Sequence, residues 1–117
     1  MNTYSIGDLR IEIVCDADSL SLLWFGRSDA KDPVMVLGPL LDTLRESFEQ
    51  RATFFDFRSF EYMNSSTIHP LLNFLQTASN HAPNVVVRYD GSKTWQRLSF
   101  RAIETLARPW GNITFEG

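Results

Sequence analysis

The chain has 117 residues, of which 44% are hydrophobic, 13% aromatic and 21% charged, and its formal net charge is −3. This length suits a single domain spanning residues 1–117, with enough buried surface to fold without metal or disulfide support. Acids and bases are interspersed, which excludes the basic footprint of a nucleic-acid or anionic-membrane binder; the lone Cys15 excludes an internal disulfide or a multi-thiolate metal site and fits a reducing compartment.

Met1 to Arg10 shows no basic leader followed by an apolar core, and no segment reaches transmembrane length, so a cytoplasmic protein without membrane insertion is expected. Leu9–Val14 and Ser19–Phe25 are short apolar-rich runs joined by Cys15-Asp16-Ala17-Asp18, and they read as an antiparallel strand pair. Arg27 to Pro33 breaks the pattern with polar residues and a proline and reads as a loop.

Leu37, Leu40, Leu41, Leu44 and Phe48 recur at helical spacing, predicting a helix over roughly Val34 to Gln50 with Asp42, Arg45, Glu46 and Glu49 toward water. Gly38-Pro39 inside that window moves the expected start toward Pro39, since proline is tolerated at the first helical position. Ala52–Phe57 alternates little, as expected for a central strand covered on both sides.

Ile68, Leu71, Leu72, Leu75 and Ala78 form a second helical stripe, stopped near Pro83. Val85–Tyr89 is a compact β-branched run. Asp90-Gly91-Ser92 then turns the chain into a third helix whose expected apolar face is Trp95, Leu98, Ala102, Ile103 and Leu106, and Asn112–Phe115 is a final strand. The order implies an α/β fold: a mostly parallel sheet of about five strands, an antiparallel N-terminal strand pair and three helices packed on the sheet.

The segment most like a site is Phe55 to Ile68, where a strand-like run leads to Asn64-Ser65-Ser66-Thr67 ahead of the second helix. A helix N-terminus there would offer unpaired N–H groups and the positive end of its dipole, suiting a serine cap or a phosphate. A plain cap, worth about 1 kcal/mol, explains a serine at that position equally well. Pro70 leaves two arrangements open: an irregular first turn, or a helix starting nearer His69 with the serines on a loop.

The same segment resembles the signature of the STAS domains, the anti-sigma-factor antagonist family. In that family an acid in the central strand is followed eight residues later by Asp-Ser-Ser-Gly, and the first of these serines is phosphorylated. Asp56 matches the first acid and Asn64-Ser65-Ser66-Thr67 occupies the second motif, with Asn64 in place of the acid and Thr67 in place of the glycine. The element order also follows that family over essentially the whole chain.

The resemblance implies a regulatory protein-binding module whose phosphoacceptor is Ser65, with Ser66 as the alternative. It implies a serine kinase of the anti-sigma-factor type and a phosphatase as partners. The expected contact residues are Asp56, Asn64, Ser65, Ser66, Thr67 and Ile68, together with Arg27, Ser28 and Asp29 of the neighbouring loop. A non-phosphorylated adaptor or small-ligand sensor in a larger complex is the alternative that the family also allows. Phosphate loops, nucleophile elbows and Cys/His pairs are missing, and His69 and His81 are too few for zinc, so neither enzyme activity nor a cofactor or metal is expected.

Overall fold

The computed structural model describes residues 2–117. Seven strands, β1 (Asn2–Ile6), β2 (Leu9–Cys15), β3 (Ser19–Ser28), β4 (Ala52–Asp56), β5 (Phe60–Met63), β6 (Val85–Arg88) and β7 (Ile113–Glu116), form one mixed sheet. Three helices, α1 (Pro33–Leu44), α2 (Ser65–His81) and α3 (Thr94–Ala107), connect its parallel part. The sheet order is β1-β2-β3-β4-β6-β7, with β5 also on β3; β1, β2 and β3 pair antiparallel and all later pairings are parallel. The expected α/β class and antiparallel N-terminal pair are present, but there are two more strands than expected, β1 and β5.

Strand order explains where the helices lie. From β3 through β4 and β6 to β7 the chain always advances in the same direction across the sheet, and right-handed crossovers then place every connecting helix on one face. Leu20, Leu22, Trp24, Phe55, Val85 and Val87 point to that face and are fully buried. Trp24 lies against Phe57, Phe60 and Phe74, and Phe57 against Phe100 at 4.8 Å, so side chains of α2 and α3 share one aromatic core with the strands.

Among the described residues the other face carries no helix. Phe54 and Asp56 on it are half-buried while Thr53 and Phe55 are buried, so the strand expected to be covered on both sides is covered on one. Its continuous aromatic character misled because Phe54 lies on the open face, shaded by the Arg88 guanidinium 5.7 Å from its ring.

Three helix boundaries and faces differ from expectation. α1 begins at Pro33, which takes the tolerated first position expected for Pro39, and its stripe ends in a 3₁₀ turn, Arg45–Phe48. The α1 stripe of Leu37, Leu40, Leu41, Leu44 and Phe48 is buried as expected. In α3 the buried stripe is Gln96, Phe100, Ile103 and Ala107, whereas Leu98 and Leu106 are 62% and 57% exposed. In α2, Phe74 joins the buried face and Ile68 leaves it.

β3 is longer than expected, so Arg27 and Ser28 lie in the strand and the loop is reduced to Asp29–Asp32. Its pairing passes from β4 to β5 with a register shift between Gly26 and Arg27. Gly26 has φ +78, and a Cβ there would stand 1.9 Å from the Asp8 carbonyl oxygen, so this crossing point admits only glycine.

Candidate functional site

β5 runs straight into α2, and the junction decides what the serine pair can do. Asn64 is the N-cap, with extended backbone, and α2 starts at Ser65. The serines therefore occupy the first turn of a helix; Pro70 is accommodated inside it, where it cannot donate to the Ser66 carbonyl.

The cap is built from three side chains. Asn64 Oδ1 accepts from the Thr67 backbone N–H at 3.1 Å and from the Thr67 hydroxyl at 2.7 Å, while its Nδ2 donates to the Ala30 carbonyl at 3.0 Å. The Thr67 hydroxyl has a single proton and gives it to Asn64, so the Ser28 hydroxyl, 2.8 Å from Thr67 Oγ1, is the donor between those two. The Asn64 N–H also donates to the Ser28 carbonyl at 2.9 Å. The first turn of α2 is thus bolted to the end of β3 and to the Asp29–Asp32 loop.

This frame leaves Ser65 and Ser66 exposed while Thr67 is fully buried. Their amides precede the first intrahelical hydrogen bond and lie at the positive end of the helix, so a phosphate on either hydroxyl would meet favourable donors and dipole. Ile68 and His69 are exposed on the next positions.

The remaining expected contact residues divide into three groups. Arg27 and Asp29 are exposed and paired at 3.6 Å, with the Arg27 guanidinium 4.5 Å from the Tyr62 ring. Ser28 and Thr67 have their side chains turned inward, where they hold the frame and present nothing to a partner.

Asp56 is elsewhere. It pairs in register with Leu23, whereas Met63, next to Asn64, pairs with Ser28, about 16 Å further along β3 at the usual strand rise. Its carboxylate takes the Arg58 N–H at 3.0 Å and both Nε and Nη2 of the Arg58 guanidinium at 3.0 and 2.8 Å. The side-chain bond to Arg58 leads in holding its pKa below the ordinary aspartate value, partial burial opposes, and the charges of Arg58 and Arg88 add to the lowering. Asp56 therefore shapes the turn between β4 and β5 on the open sheet face. The family-like spacing from Asp56 to Ser65 measures the length of that turn plus β5.

Two features escaped the sequence reading. Gln96 is fully buried and donates from Nε2 to the carbonyls of Phe57 and Phe60, at 2.7 and 2.8 Å, while its Oε1 accepts from the Asp90 N–H at 2.7 Å. It pins the turn ahead of β5, and its spacing of four and seven residues from Phe100 and Ile103 was the available signal.

The second is an exposed apolar strip beside the serines. Leu98, Ala102 and Leu106 run along the outer side of α3, and Leu106, Trp110, Leu72 and His69 line a cavity of about 230 Å³ between α2 and α3. Ile68, one turn before Leu72 on α2, extends this surface toward Ser65.

No cluster of three or more potential metal ligands occurs among the described residues, and none of their helices is long and apolar enough to cross a membrane. No protein-family model matches the sequence, and no curated protein matches it.

Proposed function

We propose that this chain is a cytoplasmic regulatory module similar to the STAS-domain anti-sigma-factor antagonists, binding a protein partner through the first turn of α2 and switched by phosphorylation of Ser65. The observation that carries this reading is the exposed Ser65 hydroxyl at the first position of α2, directly after a cap locked by Asn64, Thr67 and Ser28. A rigid frame that presents exposed hydroxyls suits recognition by a kinase, with Ser65 first and Ser66 as the neighbouring alternative.

Phosphorylation adds about −1.5 to −2 charges and three acceptor oxygens. An apolar strip lies on the same side of the molecule, and a partner seated across both would have to desolvate that dianion on binding. Phosphorylation would therefore release the partner and a phosphatase would restore it. The chain is on this view a substrate and a binder, with the catalysts among its partners, an anti-sigma-factor type kinase first.

One observation favours the alternative of a non-phosphorylated adaptor or ligand sensor. The Asn64 side chain carries no charge and its oxygen is committed to the cap, so it cannot act as a carboxylate that holds a kinase-bound metal or orients the acceptor hydroxyl.

The test is capture from native lysate on wild type, Ser65→Ala and Ser65→Asp, with phosphosite mapping of the bait. Phosphate on Ser65 and a kinase held by wild type and Ser65→Ala but lost with Ser65→Asp support the switch. An identical set of partners on all three baits, with Ser65 unmodified, replaces it with the adaptor.

A further inference from the structure

The sheet has two ends, and they are not equivalent. β7 is short and closes with Glu116, which is 3.4 Å from the Arg88 side chain. β1, with the sequence Asn2-Thr3-Tyr4-Ser5-Ile6, contains no charge, no proline and no glycine, and among the described residues its only neighbour in the sheet is β2. Exposed edge strands are ordinarily blunted by such charges, prolines or bulges, because a row of free N–H and C=O groups recruits another strand.

The register shows which groups are free. Ile6 pairs with Leu9 across the two-residue loop Gly7-Asp8, in which Gly7 has φ +58. The pair closing such a loop exchanges both its hydrogen bonds, and bonded and non-bonded pairs then alternate. Asn2, Tyr4 and Ile6 therefore direct their backbone groups to β2, and Thr3 and Ser5 direct theirs to the open edge.

We propose that β1 is a self-association edge, at which β1 of a second copy of this chain pairs antiparallel and extends the sheet across a two-fold axis at Tyr4. Antiparallel pairing about Tyr4 sets Thr3 against Ser5 of the second copy, and Ser5 against Thr3. These are the residues with free backbone groups, so each pair exchanges both N–H···O bonds. Thr and Ser also suit one another as cross-strand neighbours. The same register keeps every side chain on its own face of the sheet.

The occupant is a second copy because the strand complements itself. No residue of β1 is charged, so two copies meet at this edge without like-charge contact despite the net charge of −3. The central residue is also held in place: the Tyr4 hydroxyl donates to the Val36 carbonyl of α1 at 2.5 Å, which fixes the strand against the helix layer before any partner arrives. Ile6 at the end of the strand is 43% exposed. Such two-fold contacts are the commonest form of homo-oligomer.

The test is sedimentation equilibrium of the full chain from micromolar to millimolar concentration, paired with amide exchange of Thr3 and Ser5. The expected result is an average mass rising from 13.4 kDa toward that of two copies, with exchange at Thr3 and Ser5 slowing in step. Ser5→Pro deletes a free edge N–H without touching the β1–β2 ladder, and Ser5→Lys places a charge on each copy at the contact. Each is expected to hold the mass at one copy with the circular dichroism of wild type. Three results overturn the proposal: a monomer throughout with fast exchange at both amides, association that survives both variants, or slow exchange in a species that remains monomeric, which would mean that the edge is covered from within.

Discussion

The hydroxyls of Ser28 and Thr67, residues from β3 and α2, meet at 2.8 Å in a fully enclosed setting. This contact converts a sequence motif into a rigid platform, because it joins the end of the longest strand to the first turn of the helix that bears Ser65 and Ser66. The helix cannot shift along its axis without breaking a buried hydrogen bond.

Thr67→Val keeps the shape and removes the hydroxyl, leaving the Ser28 hydroxyl without its acceptor. Urea titration is expected to show a loss of about 1–3 kcal/mol, the usual cost of an orphaned buried polar group. Thr67→Ser, which retains the hydroxyl, is expected to lose less.

Gln96→Leu removes the donor shared by the Phe57 and Phe60 carbonyls and the acceptor used by the Asp90 N–H. Chemical denaturation is expected to register a loss of about 3 kcal/mol. Amide exchange is expected to rise most at Phe60, whose N–H donates to the Phe57 carbonyl at 2.9 Å. A loss below about 0.5 kcal/mol, the range of ordinary surface substitutions, would mean that the turn ahead of β5 holds without this pin.

Acid titration probes Asp56. Its pKa is lowered in the folded state, chiefly through the Arg58 side chain, so its contribution to stability is fully present above the unfolded value of about 3.8 and is lost as pH falls through the folded value. Asp56→Asn is expected to be less stable than wild type at neutral pH, with the gap constant down to about pH 5 and closing below the ordinary aspartate range. A gap that widens toward acid would show the carboxylate to be destabilising.

Leu98 and Leu106 contribute little to folding because both are mostly exposed. Leu98→Ser with Leu106→Ser is expected to change stability by no more than about 0.5 kcal/mol per site. If the strip on α3 contacts the partner, the same double variant weakens capture at least as much as Ser65→Asp. Undiminished capture would confine the contact to α2 and the Asp29–Asp32 loop.

The site was legible in part. Asn64 is a capping residue by chemistry, and two serines ahead of the stripe containing Leu71 and Leu75 announced a helix start. Its exact position was not legible, because Pro70 argued locally against a helix already formed at Ser65. The cost of that proline is met by contacts distant in sequence, with Ser28 and Ala30. The same remoteness concealed the burial of Thr67 and the separation of Asp56 from the serines, since both depend on which residues of β3 lie alongside.

Sequence by itself determined what repeats along the chain. The stripe from Leu37 to Phe48, the pair Leu9–Val14 with Ser19–Phe25, and the alternation of strands and helices are set by side-chain periodicity, a local property. Tertiary structure alone decided which of two stripes α3 buries. Leu98 and Leu106 are more apolar than Gln96, yet Gln96 is inside, because its amide pairs with the carbonyls of Phe57 and Phe60 and with the Asp90 N–H, which a leucine at that place could not do. The open face of the sheet was decided in the same way. Nothing in Ala52–Asp56 states it, and it follows from strand order acting together with the right-handedness of crossovers, which gathers every helix on the opposite side.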